Sequence, residues 1–323
     1  MSVNRKLVLL AGATGYIGSQ VVKKLVKDGF SVICPVRSDI SENKSTNCKY
    51  IKCDIRDPKQ VFSLGNSFGK LNYAISCIGS RTGGIEDAWK VEYKANLNLL
   101  RLSKSKNVQH FILLSAICVQ KPFLEFQRAK LAFENELTNS KVTYSIIRPT
   151  AFFKSLSGQI ENVKRGKNFI LFDDGLNTLC KPISEKDLAH FIIECFDNSE
   201  KHNKILPIGG PGPAFTPIEM GRMIFRLTNK KEKFRKLPSG LFTLTRKTLI
   251  PFDKLSHKIS NLREFLKIAH YYATESMLVW NHEKQNYSAE DTPEFGTKLI
   301  WDHFKNEVNC DHKEDILGHH KLF

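Results

Sequence analysis

Ser115 and Lys130 are the two side chains whose type and spacing most directly suggest chemistry. They sit in the stretch 113–130, LLSAICVQKPFLEFQRAK, which opens apolar and β-like, turns polar at Ser115 and becomes helix-like from about Leu124. A hydroxyl at a strand end and an ammonium one helical face further on could orient a substrate beside a cofactor. A tyrosine four residues before Lys130 would complete a Tyr-x-x-x-Lys acid/base pair, but the residue there is Phe126. The stretch is either a working site with altered chemistry or an inactive one.

A second constellation lies near the N-terminus. Residues 6–11, KLVLLA, form a continuous apolar run, as expected of a parallel strand buried on both faces. Gly12, Thr14, Gly15, Tyr16, Ile17 and Gly18 follow, leading into a segment with Val21, Val22, Leu25 and Val26 on one helical face and Gly29 as its stop. Strand, glycine turn and helix in this order make a dinucleotide fingerprint, with one residue more between the first two glycines than in G-x-G-x-x-G. Small residues let a pyrophosphate approach the backbone, and the helix N-terminus supplies N–H groups and partial positive charge. The next strand, 31–36, ends at Arg37. An acidic residue there would bind a ribose 2′-hydroxyl; an arginine fork suits a 2′-phosphate, so NADPH is expected over NADH. Asp54, after a third strand at 49–53, is placed to receive the adenine amino group.

The elements that must position these groups follow in regular order. A helix is expected at 58–64, a strand at 71–78, a long helix at 86–106 with Tyr93 and Asn96 on its early turns, and a strand at 108–114 that delivers Ser115. A helix at 124–137, a strand at 142–147 and the turn Arg148-Pro149-Thr150-Ala151-Phe152-Phe153 come next. Strands alternating with helices predict an α/β protein with a Rossmann-type, NAD(P)-binding, doubly wound parallel sheet. Thr14, Arg37, Asp54, Ser115 and Arg148 all fall at the carboxyl ends of the strands, where ligands bind in such sheets.

Beyond Phe153 the pattern is less regular. Residues 167–175 suggest a short hairpin, 180–183 a return to the core, and Ser184 with Asp187 a capping-box-like helix start. Residues 205–217 read as strand, loop and helix start. The expected division is an NADP(H)-binding domain over 1–210, with a substrate-side insertion at about 152–178, and a smaller C-terminal substrate lobe over 211–323. Within that lobe, 237–268 is rich in Leu, Ile, Phe and Lys. It could be an amphipathic helix pair covering a hydrophobic substrate, a membrane-resting surface, or ordinary core packing.

The net charge of +16 invites a nucleic-acid reading, but the lysines are scattered along all 323 residues without one basic stripe. A solvated lysine-biased surface is expected, with anionic small ligands or an anionic membrane surface as lesser possibilities and no nucleic acid. Eight cysteines show neither a C-x-x-C pair nor metal-finger spacing, which points to a reduced, intracellular protein without a metal centre. No apolar run reaches the ~20 residues of a membrane span. The opening MSVNRK runs directly into a strand pattern, so no signal or transit peptide is expected.

The glycine turn, Ser115 and Lys130 together resemble the atypical short-chain dehydrogenase/reductase family. Longer blocks narrow the resemblance: SCIGSRTGGIEDAWKVEY, SAICVQKPFLEFQRAKLAFE, YSIIRPTAFFKSLSGQ, CKPISEKDLA, LPIGGPGPAFTP and YYATESML are similar to the NADPH-dependent divinyl chlorophyllide a 8-vinyl-reductase family. They run from Leu7 to about Phe295, with little resemblance at 229–261. The resemblance implies reduction of the 8-vinyl group of divinyl (proto)chlorophyllide to ethyl in chlorophyll synthesis. It also implies a Mg-tetrapyrrole substrate and a setting in a bacterial cytoplasm or, for a mature organellar form, a plastid stroma or thylakoid surface.

In that light Phe126 is compatible with activity, because the family segment itself has phenylalanine there. A Tyr/Lys pair handles a proton on oxygen, and vinyl reduction offers no such oxygen. Lys130 is then expected on the nicotinamide ribose, Ser115 at the substrate edge or in a proton relay, and Arg148 with Pro149 over the nicotinamide. Phe152 and Phe153 could offer aromatic surface to the macrocycle, with Cys118 beside it. Ser115, Cys118, Lys130 and a water stand equal as proton donors. No Mg ligand is named, because His190, the one histidine of these blocks near the expected cleft, is expected on a helix surface. Two other functions fit the same residues: a non-catalytic NADP(H)-binding chlorophyll or photosystem assembly factor, and an isoflavone-reductase-like enzyme.

Overall fold

The computed structural model describes residues 5–38, 47–248 and 257–310. Its first half alternates as expected: β1 (Leu7–Ala11), α1 (Tyr16–Lys27), β2 (Ser31–Val36), β3 (Cys48–Lys52), α2 (Pro58–Asn66) and β4 (Tyr73–Ser76). Then come α3 (Ile85–Ala88), a π-helical stretch (Trp89–Ala95), α4 (Asn96–Ser105), β5 (His110–Leu114), α5 (Glu125–Thr138) and β6 (Tyr144–Pro149). After the short α6 (Ile160–Lys164) and β7 (Phe169–Phe172), the chain returns through α7 (Glu185–Glu194) to β8 (Lys204–Ile208). The seven-stranded sheet has the order β3-β2-β1-β4-β5-β6-β8, and every pairing in it is parallel.

Period-two alternation explains why the strands look apolar throughout. Val8 and Leu10 face a cluster with Val21 and Leu25 of α1 and Leu188 and Ile192 of α7, while Leu9 and Ala11 face one with Val61, Leu99 and Phe133. Both faces are covered by helices, so a seven-strand parallel sheet follows from these sequences. Gly29, at φ +86°, ends α1 in a conformation that a side chain would oppose. Ser184 caps α7 by accepting from the Asp187 N–H at 3.0 Å.

Two expectations need correction. The long helix at 86–106 is interrupted at Trp89–Ala95 by π-helical turns. Residues 167–175 are no hairpin: β7 pairs in parallel with β9 (Phe234–Leu237), after α8 (Pro217–Leu227), although a turn with Asp173 and Gly175 at positive φ does follow it. Residues 180–183 do return to the core: Cys180, Lys181 and Ile183 are buried, with isolated bridges from Cys180 to Phe215 and Met277 and from Ile183 to Phe152.

The remaining elements are α9 (Gly240–Thr248), α10 (His257–Thr274), the hairpin β10 (Val279–Asn281) with β11 (Asn286–Ser288), and α11 (Ile300–Asn309). Residues 249–256, part of the expected helix pair, lie outside the described residues. Phe153, Ile160 and Phe169 pack with Ile224, Phe225 and Phe304, so residues on both sides of β8 build one apolar cluster. Among the described residues no helix is long and apolar enough to cross a membrane.

Candidate active site

The glycine turn is packed too closely for any side chain. A Cβ on Gly18 would lie 2.1 Å from the Gly12 carbonyl oxygen, and one on Gly12 would lie 2.5 Å from the Cys77 carbonyl oxygen. Gly12 also has φ +84°. The turn therefore draws the N-terminus of α1 against the end of β4, leaving first-turn N–H groups at the carboxyl edge of the sheet. This cradle fits a dinucleotide pyrophosphate. Tyr16 within it points elsewhere: its hydroxyl donates to Glu185 Oε2 at 2.6 Å and ties α1 to α7.

Arg37 is exposed at the end of β2, where a 2′-phosphate could reach it. Asp54 is bound in a fork by Arg56, with Nε at 2.9 and 3.1 Å and a terminal nitrogen at 2.6 Å. Arg56 first, and Arg37 more weakly, hold the Asp54 carboxyl below its ordinary range. The expected adenine acceptor is thus committed to an arginine that the sequence reading did not single out. Two guanidinium groups, not one, flank this end of the cleft.

At the centre, Lys130 projects from α5 and donates to Glu92 Oε2 at 2.7 Å. Glu92 Oε1 accepts from the Ser80 N–H at 2.8 Å and the Ser80 hydroxyl at 3.1 Å. Glu92 is 2% exposed and rides on the π-helical stretch. Asn96 braces that stretch, donating to the Glu92 carbonyl at 2.8 Å and accepting from Ser76 at 2.5 Å. A widened turn at a functional position is a common use of π geometry.

A second buried carboxylate lies one turn beyond Lys130. Glu134 accepts from the Ser115 hydroxyl at 2.5 Å and from Arg148 Nε at 3.2 Å, with a terminal Arg148 nitrogen on its other oxygen. Ser115 and Arg148, from adjacent strands β5 and β6, are joined through a helix carboxylate. In this arrangement the one proton of Ser115 points away from the cleft, and Arg148 is paired rather than open to a phosphate.

The roof comes from α10. A Cβ on Gly83 would meet Ile268 at 2.5 Å and one on Gly84 would meet Asn261 at 2.7 Å, so α10 lies directly on the loop leaving β4. Ile268 and Tyr271 pack on Ile117, Cys118 and Leu124, with Phe126 and Tyr272 at the edge of that cluster. Tyr271 donates to the Cys118 carbonyl at 3.0 Å. Glu264, 2% exposed, accepts from the Glu125 N–H at the first turn of α5, at 3.3 Å, where negative charge is favoured.

Of the aromatic pair expected at the macrocycle, Phe152 keeps partial exposure and contacts Tyr16 at 6.3 Å between centroids. Phe153 does not fit that role. It is 2% exposed, inside the cluster with Ile160 and Phe304, and packs on His303. Pro149 ends β6 in the core sheet, and Cys118 is 3% exposed, with burial pushing its thiol up. His190 is exposed. Glu92, Glu134 and Arg56 are the participants that sequence reasoning missed. Only Glu134 carried a legible signal, being four residues after Lys130 on the same helical face.

The arrangement can hold a dinucleotide across the strand ends, pair an ammonium with one buried carboxylate and a guanidinium with another, and cover the site with an apolar roof. A family model described as NAD(P)H-binding matches residues 12–199. The divinyl chlorophyllide a 8-vinyl-reductase of Cucumis sativus is 44% identical, covering 98% of this chain and 79% of the relative. That of Zea mays is 42% identical over 98% of this chain and 82% of the relative. The chain belongs to the divinyl chlorophyllide a 8-vinyl-reductase family.

The 8-vinyl-reductase family thus shares its fold with nucleotide-sugar epimerases. A nucleoside-diphosphate-sugar epimerase from Staphylococcus aureus superposes with a TM-score of 0.63 at 14% identity, covering 92% of this chain and 99% of the epimerase. The UDP-glucose 4-epimerase of Thermus thermophilus, solved in complex with NAD, gives 0.60 at 17% identity over 72% of this chain and 86% of the epimerase. The NAD(P)H-binding family model and the NAD-bound neighbour support a nicotinamide cofactor for this reductase.

Proposed function

We infer that the protein is an NADPH-dependent oxidoreductase that reduces the 8-vinyl group of divinyl chlorophyllide a to ethyl in chlorophyll biosynthesis. The observation that carries this reading is identity of 42–44% with named 8-vinyl-reductases along nearly the whole chain, roof included. The site chemistry agrees. Phe126 leaves α5 without the phenol that a carbonyl or alcohol substrate would need, and a vinyl group presents no oxygen to protonate.

Bound NADPH supplies the hydride, and the charge left behind spreads into the conjugated macrocycle. The chain's own part is to orient two flat partners and exclude water. Gly12, Gly15 and Gly18 take the pyrophosphate, Arg37 with Arg56 the 2′-phosphate, and Lys130, held by Glu92, the nicotinamide ribose. Phe152 offers a ring to the macrocycle. Residues 1–210 act as the nucleotide-binding part, and 211–323, together with the 152–178 insertion, as the substrate-covering lobe. The plant relatives are named chloroplastic, which favours a photosynthetic compartment.

Purified protein incubated with NADPH and divinyl chlorophyllide should give a blue shift of the Soret band as monovinyl product forms. Folded protein that binds NADPH yet yields no monovinyl pigment would instead support a non-catalytic assembly factor.

A further inference from the structure

Reduction of a vinyl group needs one proton as well as one hydride. Several polar groups near the strand ends already have a partner. Ser115 donates to Glu134, Lys130 to Glu92, and Tyr271 to the Cys118 carbonyl. The Cys118 thiol is buried and held protonated, with almost no surface to offer a ligand.

Tyr272 differs from its neighbours in its acceptor: its hydroxyl is hydrogen-bonded to the Cys118 thiol, a weak acceptor, and not to a carboxylate or a carbonyl. It packs at the edge of the Ile117, Cys118 and Leu124 cluster, as Phe126 does, with its ring edge-on to Tyr271 at 5.7 Å. It keeps part of its surface accessible, as Phe126 on the same cluster does. Burial foremost, then the Cys118 and Tyr271 side chains and the Glu92 charge, keeps its phenol protonated far above the ordinary range. Such a phenol is useless as a base at neutral pH. It remains able to protonate a carbanion, which is far more basic.

We propose that Tyr272, presented by α10, is the proton donor of the vinyl reduction and supplies the hydroxyl that α5 lacks at Phe126. The inference rests on the vinyl-reductase reading above. As hydride adds to the terminal vinyl carbon, the π bond opens and its electron pair moves to the inner carbon and into the macrocycle. The O–H bond of Tyr272 breaks and a C–H bond forms at the inner carbon. The phenolate then regains a proton from water. One hydride and one proton convert vinyl to ethyl, and NADPH is the only reductant.

The test compares wild type, Tyr272→Phe and Tyr272→His. Monovinyl formation by wild type establishes the reading on which the proposal stands, and its absence would defeat that reading separately. Tyr272→Phe should lower kcat by at least about 100-fold, the scale of a lost general acid. Its NADPH Kd, from nucleotide fluorescence, and its Tm should stay near wild type. Tyr272→His, which restores an acidic N–H, should recover at least about 10-fold over the phenylalanine variant. Retention of wild-type kcat by Tyr272→Phe would overturn the proposal. So would a loss of rate that comes with equal losses of NADPH affinity and Tm, or the absence of any recovery in a folded histidine variant.

Discussion

The Lys130 ammonium lies 2.7 Å from the Glu92 carboxylate, and the two side chains are only 12% and 3% exposed. The pair joins α5 to the π-helical stretch and, through Ser80, to the loop leaving β4. Lys130 therefore has a structural and a cofactor role that one substitution would disturb together.

Lys130→Met should raise the NADPH KM at least about 10-fold and also lower stability by roughly 3 kcal/mol, because it leaves a buried carboxylate uncompensated. Adding Glu92→Gln removes that charge and should recover most of the Tm without restoring the KM. Chemical denaturation and steady-state kinetics on both variants separate the two effects. An unchanged KM and kcat in Lys130→Met would remove the ribose role.

Gly18→Ala places a methyl 2.1 Å from the Gly12 carbonyl oxygen, a backbone atom that cannot swing aside. The N-terminus of α1 must move away from the turn. NADPH binding, followed by nucleotide fluorescence, should be lost by at least about 10-fold in affinity. The Tm should fall as well, and wild-type binding by this variant would refute the cradle.

Arg37→Asp should shift preference from NADPH toward NADH, since a carboxylate repels a 2′-phosphate and can accept from a 2′-hydroxyl. Arg56 stays on Asp54 and retains part of the phosphate attraction, so adding Arg56→Gln should deepen the shift. The ratio of kcat/KM for the two nucleotides is the readout. A ratio unmoved by the double substitution would show that neither guanidinium reads the 2′ position.

His110, at the far end of β5, governs part of the acid stability. It is 2% exposed, and burial, then the nearby His202, depresses it to about 4. The unfolded chain has an ordinary histidine near 6.5, so between those values it binds more protons than the folded protein. Stability is therefore greatest above pH 6.5 and declines as pH falls toward 4, by about 3 kcal/mol in total from this group. Urea midpoints at pH 7 and 5 should show the decline, and His110→Asn should flatten it.

Much of this fold was legible because parallel strands announce themselves as short apolar runs with glycine or polar residues at their ends. β2 ends at Val36 where the pattern stops, and α1 ends where Gly29 stops it. The site was less legible. Glu92 could not be placed because a helix reading assumes 3.6 residues per turn throughout, and the π-helical stretch breaks that phase. Phe152 and Phe153 read as a pair, yet neighbours in a turn leave the chain in different directions and fell into separate clusters. Tyr272 is remote in sequence from α5, and only the seating of α10 on Gly83 and Gly84 brings it near Phe126. β7 pairs with β9 for the same kind of reason, since long-range pairing leaves no local trace.

The π-helical stretch also sets how this segment tolerates insertions and deletions. Each residue of an α-helix advances the side-chain direction by about 100°. Removing any single residue between Trp89 and Ala95 would let the stretch relax into plain α-helix with little change in composition. The flanking turns would keep nearly their relative orientation, because the wide turn had absorbed the extra residue, but the side chains inside the stretch would be re-aimed and Glu92 could no longer meet both Ser80 and Lys130. The reading frame of this helix matters more to the cleft than the chemistry of most of its side chains.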